Sequence, residues 1–509
     1  METARRPPVD PSTLFFESPL TRRRIIASYW IVFLLAIPIW WKITSIDRLS
    51  LPESRVSALD SHDLRFPVRI GVKSDLPSLP SHEVEASVVR ALGTYADSHR
   101  LSVDSVRSQS GTEPVPGTYE VVIKEGSGSM SLEGRRLVVH SPRDAGVRQK
   151  DVVETVTRLI VPSSNNAEAL RVVKYSPRFR LAFSLLNEDA ATGRAVFSWD
   201  IRNAITKYLA PTLQKLSILH NFTIESQVQY HAPLAFRPQE LRYGEDISHG
   251  LTQEDLTVFI NSAEWTLSSS VSNDPVIHFV LFVPSSENSP LYILNADGSP
   301  SSSDAFILPQ WGGITISNKA PPHMTAENLE HIFLTFRRQL MSLLGLPSLP
   351  PHVDYDQSLP FTDWQLDALV RLRTKQNVEN SKETLKSIVA LVNQIENMPV
   401  GQDVKGDVLG ALDALETVFA EGSTSLMSAL RHSSDALTRA SRAFFNPGML
   451  ALLYFPAEHK YAVYSPLFAS VAAPLLATLL REVAAWRKAR KERAKALKEQ
   501  TDKKEDRKD

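Results

Sequence analysis

The chain has 509 residues, 43% hydrophobic and 22% charged. At roughly 100–200 residues per domain this allows two to four domains with a sizeable core, and it excludes a collagen-like or wholly disordered chain. Lys and Arg number 56 against 57 Asp and Glu, so the net charge of −1 gives no basic signal and no nucleic-acid partner is expected; cysteine is absent, which removes disulfides, thiolate metal sites and cysteine nucleophiles.

The charge is unevenly placed. Residues 1–24 carry +2 and residues 481–509 carry +5, leaving −8 on the 25–480 stretch. From Ile25 to Trp41 no charge occurs, and the apolar run covers about 25 Å as a helix at 1.5 Å per residue. Arg22, Arg23 and Arg24 precede it, and Trp40, Trp41 and Lys42 close it, as a membrane interface favours. A cleaved signal peptide is the competing reading. The run is too long for a usual apolar signal region and ends in Trp-Trp-Lys where small residues would be needed, so an uncleaved signal anchor over 25–43 is expected. The three arginines should also meet anionic lipid headgroups, at about 1 kcal/mol each near the surface.

From Pro67 onward the pattern alternates between strand and helix. Val68, Ile70 and Val72, then Phe179, Leu181, Phe183 and Leu185, recur with period 2. The short apolar runs Leu256–Ile260 and Val276–Val283 predict buried strands, with His278 as a core histidine within the second. Helical stripes lie between them: Val84, Val88, Val89, Leu92 and Tyr95; Val152, Val153, Val156, Leu159 and Ile160; and Ile201 through Leu216, with Ser198 placed to cap it. A further stripe runs from Leu329 to Leu344. An α/β body over 65–345 follows. The proline-rich stretch 346–360 reads as a linker, and 361–448 as a helical segment opened by a Thr362–Gln365 capping box.

Residues 461–480 form a second uncharged run, containing Pro466 and Pro474, which a spanning helix tolerates. A buried helix of a soluble core is the alternative, against which the basic tail 481–509 argues. A lipid-anchor signal would end in its apolar segment, whereas this chain continues beyond it. Lys/Arg-rich ends belong on the cytoplasmic side, and two spans put both there, leaving 44–460 lumenal or extracellular. The sole Asn-x-Ser/Thr sequon, Asn221-Phe222-Thr223, falls in that block and makes Asn221 a candidate for glycosylation.

Chemistry is sparsely signalled. Serine-elbow, zinc-protease, P-loop and dinucleotide motifs are missing, and Gly126-Ser127-Gly128 reads as a turn. His62, His82 and His140 lack ligand spacing. Asp354 and Asp356 are the strongest enzymatic candidates: paired carboxylates can hold a divalent cation against a sugar-nucleotide diphosphate, as a membrane-anchored lumenal glycosyltransferase would require. Their place after Pro347-Ser348-Leu349-Pro350-Pro351 favours a plain acidic linker, and neither metal nor cofactor is expected. Trp311-Gly312-Gly313 permits close backbone approach or positive φ beside a large contact surface. It is either a packed turn leading into strand Ile314–Ile316 or a partner-facing loop.

Several of these segments resemble one family. Pro38-Ile39-Trp40-Trp41-Lys42 with Arg48-Leu49-Ser50-Leu51-Pro52 is similar to the first span and exit of the phosphatidylinositol-glycan class S subunit of GPI transamidase. Phe183-Ser184-Leu185-Leu186-Asn187, Asn221-Phe222-Thr223 and Trp311-Gly312-Gly313-Ile314 after Pro309 resemble its lumenal motifs. Leu452-Leu453-Tyr454-Phe455-Pro456 through Lys460-Tyr461-Ala462 and Pro466-Leu467-Phe468 resembles its entry into the second span. The resemblance implies a non-catalytic scaffold subunit of an endoplasmic-reticulum membrane complex that joins GPI anchors to proprotein C-termini. It also implies partner membrane subunits, among them a caspase-like catalytic one whose nucleophile is a cysteine. A chain without cysteine agrees with that division of labour.

Overall fold

The computed structural model describes residues 18–44, 48–106, 114–142, 148–162, 170–243, 246–267, 272–395, 398–450 and 457–505. Most of the N-terminal tail and the Leu452–Pro456 segment therefore lie outside the described residues. The chain divides into two compact units, residues 52–386 with 407–441, and residues 1–51 with 387–406 and 442–509.

The larger unit is built on two sheets. The first has six strands in the order Val353–Tyr355, Met130–Glu133, Arg136–Ser141, Thr118–Glu125, Phe66–Ser74, Leu101–Ser105. Its middle is parallel, with Val72 opposite Val121 and Val68 opposite Val103. Helices Ser81–Gly93 and Gln149–Ile160 pack together and bury Val84, Val88 and Leu92 from one, Val152, Val156 and Leu159 from the other. The first stripe stops there: Tyr95 lies beyond the helix end and is exposed.

The second sheet has the order Ala305–Leu308, Gly312–Ile316, Val276–Val283, Arg178–Asn187, Asn221–Gln229, parallel except at the first pair. Strand Arg178–Asn187 is buried on both faces after its first residue, so its apparent period of 2 does not mark a solvated side; parallel strands sandwiched between layers read that way. One face packs Phe183, Phe279, Phe333 and Phe336, with ring centroids 5.2–6.0 Å apart where helix Glu330–Leu343 lies against the sheet. The other meets a cluster of Phe259, Trp265, Phe282 and Leu291 beside a small sheet of Gln239–Tyr243, Asp246–Leu251 and Leu291–Ile293.

Three local expectations are corrected. Leu256–Ile260 is not a strand: Thr252 Oγ1 accepts from Asp255 N at 3.3 Å while the Asp255 carboxylate accepts from Thr252 N at 2.8 Å, and this capping box starts helix Gln253–Thr257. Ser198 does not cap the Ile201 helix; Asp200 does, its carboxylate accepting from Asn203 N. Within the proline-rich 346–360 stretch, Val353–Tyr355 forms an edge strand on Met130–Leu132. The helix after Asp200 also carries a π-turn, Ile205–Leu209. Pro211 follows it and offers no N–H to the Lys207 carbonyl, so the helix widens there.

Beyond the sheets come helices Asp363–Gln394, Gln402–Glu421 and Leu426–Phe444. The fold is thus a mixed α/β body followed by a helical segment, with a candidate spanning helix near each end. Those two, Leu20–Ile43 and Ala462–Ala496, are long and apolar enough to cross a membrane. They lie in helices Pro19–Thr44 and Ala457–Glu505 of the smaller unit, the second carrying the basic tail on as helix.

Candidate functional site

The Trp-Gly-Gly segment leads into strand Gly312–Ile316 of the second sheet, between its antiparallel edge strand and the central strand Val276–Val283. Gly312 pairs with His278 of the neighbouring strand, and a Cβ placed on Gly312 would lie 2.0 Å from the His278 carbonyl oxygen. A Cβ on Gly313 would lie 2.1 Å from Gln339 Oε1. Gln339 needs that space, because its Nε2 donates to the carbonyls of Phe306 and Ile314 at 3.1 Å each, tying helix Glu330–Leu343 to two strands. The glycines serve close approach; the left-handed residue is Gln310 before them, at φ 59°. Trp311 is half-buried and stacks on His278 with centroids 4.5 Å apart, so the packed turn expected from the sequence is present. Burial, then the Arg180 charge, pushes the His278 imidazole down to about 4. His220, which shares its burial among Tyr175, Phe179 and Phe222, is likewise held at about 4.

A buried polar network joins the first sheet to helix Asp363–Gln394. Asp367, fully buried, accepts two hydrogen bonds from Arg135, from Nε and Nη2 at 2.8 Å each, and a third from the Tyr119 hydroxyl at 3.1 Å. Arg371, one turn on, donates to Tyr119 Oη at 2.7 Å and to the Ile160 carbonyl at 2.9 Å. Arg373, 1% exposed, donates to the carbonyls of Leu344 and Val173 at 2.9 and 3.2 Å, and burial lowers it to about 10. It stays charged at neutral pH, so two backbone carbonyls and the Gln376 amide oxygen, which accepts from its Nη1 at 2.9 Å, hold a full charge in the interior. None of these residues was singled out from the sequence. The available signal was the i, i+4 pair Asp367 and Arg371 inside the apolar stripe of Leu366, Leu369 and Val370.

In the smaller unit the two long helices run antiparallel. Phe33 contacts Phe468 and Trp40 contacts Tyr464 and Phe468, with centroids 5.0–6.1 Å apart. At the other end both Arg22 and Arg23 engage Glu482, Arg23 Nε at 3.1 Å. Two of the three arginines expected to face lipid therefore carry an internal partner; Arg24 is in no ion pair among the described residues.

Asp354 and Asp356 do not converge on a site. Asp354 is exposed on its edge strand, and Asp356 closes a turn by accepting from Ser358 N at 2.9 Å, a contact that lowers its pKa. Among the described residues no group of three His, Asp or Glu side chains could hold a metal. Asn221 opens the exposed edge strand of the second sheet and is itself exposed, its N–H donating to Pro177 O at 2.8 Å.

Comparison with known proteins gives one consistent answer. The family model described as phosphatidylinositol-glycan biosynthesis class S protein matches residues 27–489. The GPI-anchor transamidase component PIGS of Bos taurus is 30% identical, over 89% of this chain and 93% of its own. The GPI transamidase component PIG-S homolog of Schizosaccharomyces pombe is 30% identical over 91% and 84%, and the GPI transamidase component GPI17 of Saccharomyces cerevisiae is 27% identical over 87% and 88%.

Proposed function

The chain belongs to the phosphatidylinositol-glycan biosynthesis class S family, and we propose that it is a non-catalytic scaffold subunit of the GPI transamidase complex of the endoplasmic reticulum membrane. The observation that carries this reading is the match from residue 27 to 489 together with relatives named as components of that enzyme. The lack of any cysteine supports the non-catalytic part, since a thioester acyl-enzyme cannot form on this chain. Nothing in the comparisons favours the glycosyltransferase alternative, and a turn-forming Asp356 speaks against it.

In this reading two spans anchor the chain, with both termini cytoplasmic and the α/β body lumenal. The antiparallel pairing of the spanning helices supports placing both ends on one side. The body holds other subunits, the caspase-like one included, near the proprotein tail, raising effective concentration without taking part in the chemistry. Arg24 is the arginine best placed to meet anionic lipid, and the open edge of Trp311 is a candidate partner contact. Asn221 would be glycosylated, so Asn221→Gln should abolish a mobility shift produced by endoglycosidase H.

The reading is tested by deleting the chain from its source cells. A GPI-anchored reporter should disappear from the surface while its uncleaved proprotein accumulates, and an Asp354→Ala/Asp356→Ala chain should restore anchoring fully. Gentle detergent should co-purify other membrane subunits. A chain that purifies alone, or normal anchoring in its absence, would refute the proposal.

A further inference from the structure

The larger unit contains a half-open cleft of about 610 Å³ that none of the preceding roles uses. It lies where the start of the first sheet, the C-terminal turns of helices Gln149–Ile160 and Glu330–Leu343, and the first turns of helix Asp363–Gln394 come together. Its volume is within the ~300–1,000 Å³ of small-molecule sites.

The lining is of two kinds. Phe66, Leu101, Ile160, Met341 and Leu369 give an apolar floor. Around it stand five basic side chains, His99, Arg171, Arg338, Arg371 and Lys375, and among the described residues no Asp or Glu belongs to the lining. Arg338, Arg371 and Lys375 form no ion pair among the described residues; their partners are neutral oxygens. Arg338 Nη2 donates to Thr335 Oγ1 at 3.2 Å, and Lys375 Nζ reaches only Ser98 O at 3.4 Å. Partial burial, and after it the Lys375 and Arg371 charges, lowers the His99 pKa. Arg338 and Lys375 thus stand beside an apolar hollow with no carboxylate partner among the described residues. Arg371 also serves the buried network, but Arg338 and Lys375 add nothing to it, and like charges in one cleft repel.

We infer that this cleft binds a single-chain anionic lipid, its acyl chain on the Phe66–Met341–Leu369 floor and its phosphate between Arg338 and Lys375. Guanidinium and ammonium donors suit a phosphomonoester dianion, and at about 610 Å³ the cleft is in the size range of a small single-chain ligand. The inference stands apart from the transamidase reading and survives or falls without it.

The test uses the full chain in detergent, stripped of co-purified lipid, with a lysophosphatidic acid carrying a photoreactive group midway along its acyl chain. Labelling should map to peptides containing Met341 and Leu369. Excess unmodified lysophosphatidic acid should compete, while monooleoylglycerol and inorganic phosphate at equal concentration should not. The Arg338→Gln/Lys375→Gln variant should label about tenfold less at an unchanged melting temperature; Arg338 is exposed and Lys375 only half-buried, so folding should be retained. Undiminished labelling of that variant overturns the inference. Equal competition by monooleoylglycerol would reduce the cleft to an apolar groove, full competition by phosphate to a free-anion site, stronger competition by oleate to a carboxylate site, and stronger competition by an apolar peptide to a peptide groove; each of these also overturns it.

Discussion

Gly312 and His278 show how much one residue can decide. With 2.0 Å between a hypothetical Cβ and the His278 carbonyl, Gly312→Ala forces two parallel strands apart at the centre of a sheet. The expected cost is about 3 kcal/mol or more, read as a large drop in melting temperature or loss of folded protein, whereas Trp311→Phe keeps the stack on His278 and should cost far less. The two buried histidines make stability depend on pH. Their folded-state value of about 4 lies below the ~6.5 of an unfolded chain, so as pH falls the unfolded state takes up protons first. Their contribution is complete above about pH 6.5 and is lost as pH falls toward 4, by at most about 3 kcal/mol each. Urea midpoints at pH 7 and pH 5 should separate for the native chain, and less so for His278→Phe, which retains an aromatic face for Trp311. The close approach at Gly312 and the core place of His278 were legible locally, because Trp-Gly-Gly and a histidine within Val276–Val283 carry their meaning in adjacent residues; the burial of His220 was not.

Helix Asp363–Gln394 is the element whose role was least visible. Its start was readable: Thr362 and Gln365 make the expected reciprocal bonds, Thr362 N to Gln365 Oε1 at 2.9 Å and Gln365 N to Thr362 Oγ1 at 3.3 Å. Its function as the bolt of the larger unit was not, since Asp367 meets Arg135 from 232 positions away and no local period records that. Val353–Tyr355 escaped for the same reason, its partner strand lying more than two hundred residues earlier and its own length being three residues. Removing one side of the bolt should be severe: Asp367→Ala strands Arg135 and Tyr119 and should cost about 3–5 kcal/mol, measured by denaturant unfolding of the full chain. Replacing both charges, as Asp367→Leu with Arg135→Met, should cost distinctly less, because no buried charge is then left alone.

For the molecule as a whole, periodicity and composition supplied the α/β body, the helical segment and the two apolar helices, since each is written in consecutive residues. The pairing of those helices was not, because Arg23 and Glu482 are 459 positions apart. A chain without native cysteine allows this pairing to be checked without background. Phe33→Cys/Phe468→Cys, at positions whose native rings lie 6.1 Å apart, should be joined by a bifunctional thiol cross-linker in native membranes, and Glu482→Gln should lower the yield. No bridge in the parent double variant would refute the antiparallel arrangement.

That embrace between the two ends has a bearing on biogenesis. The ribosome makes the arginine-bearing helix first, and its acidic mate emerges only after more than four hundred further residues have been polymerised. Throughout that interval Trp40 and the two guanidiniums lack their partners on the second helix, leaving a mark that quality-control machinery could read on any product truncated before its last segment. Once the clasp closes, a single protease nick anywhere in the body leaves both fragments moored to the same spot, so cleavage need not mean release.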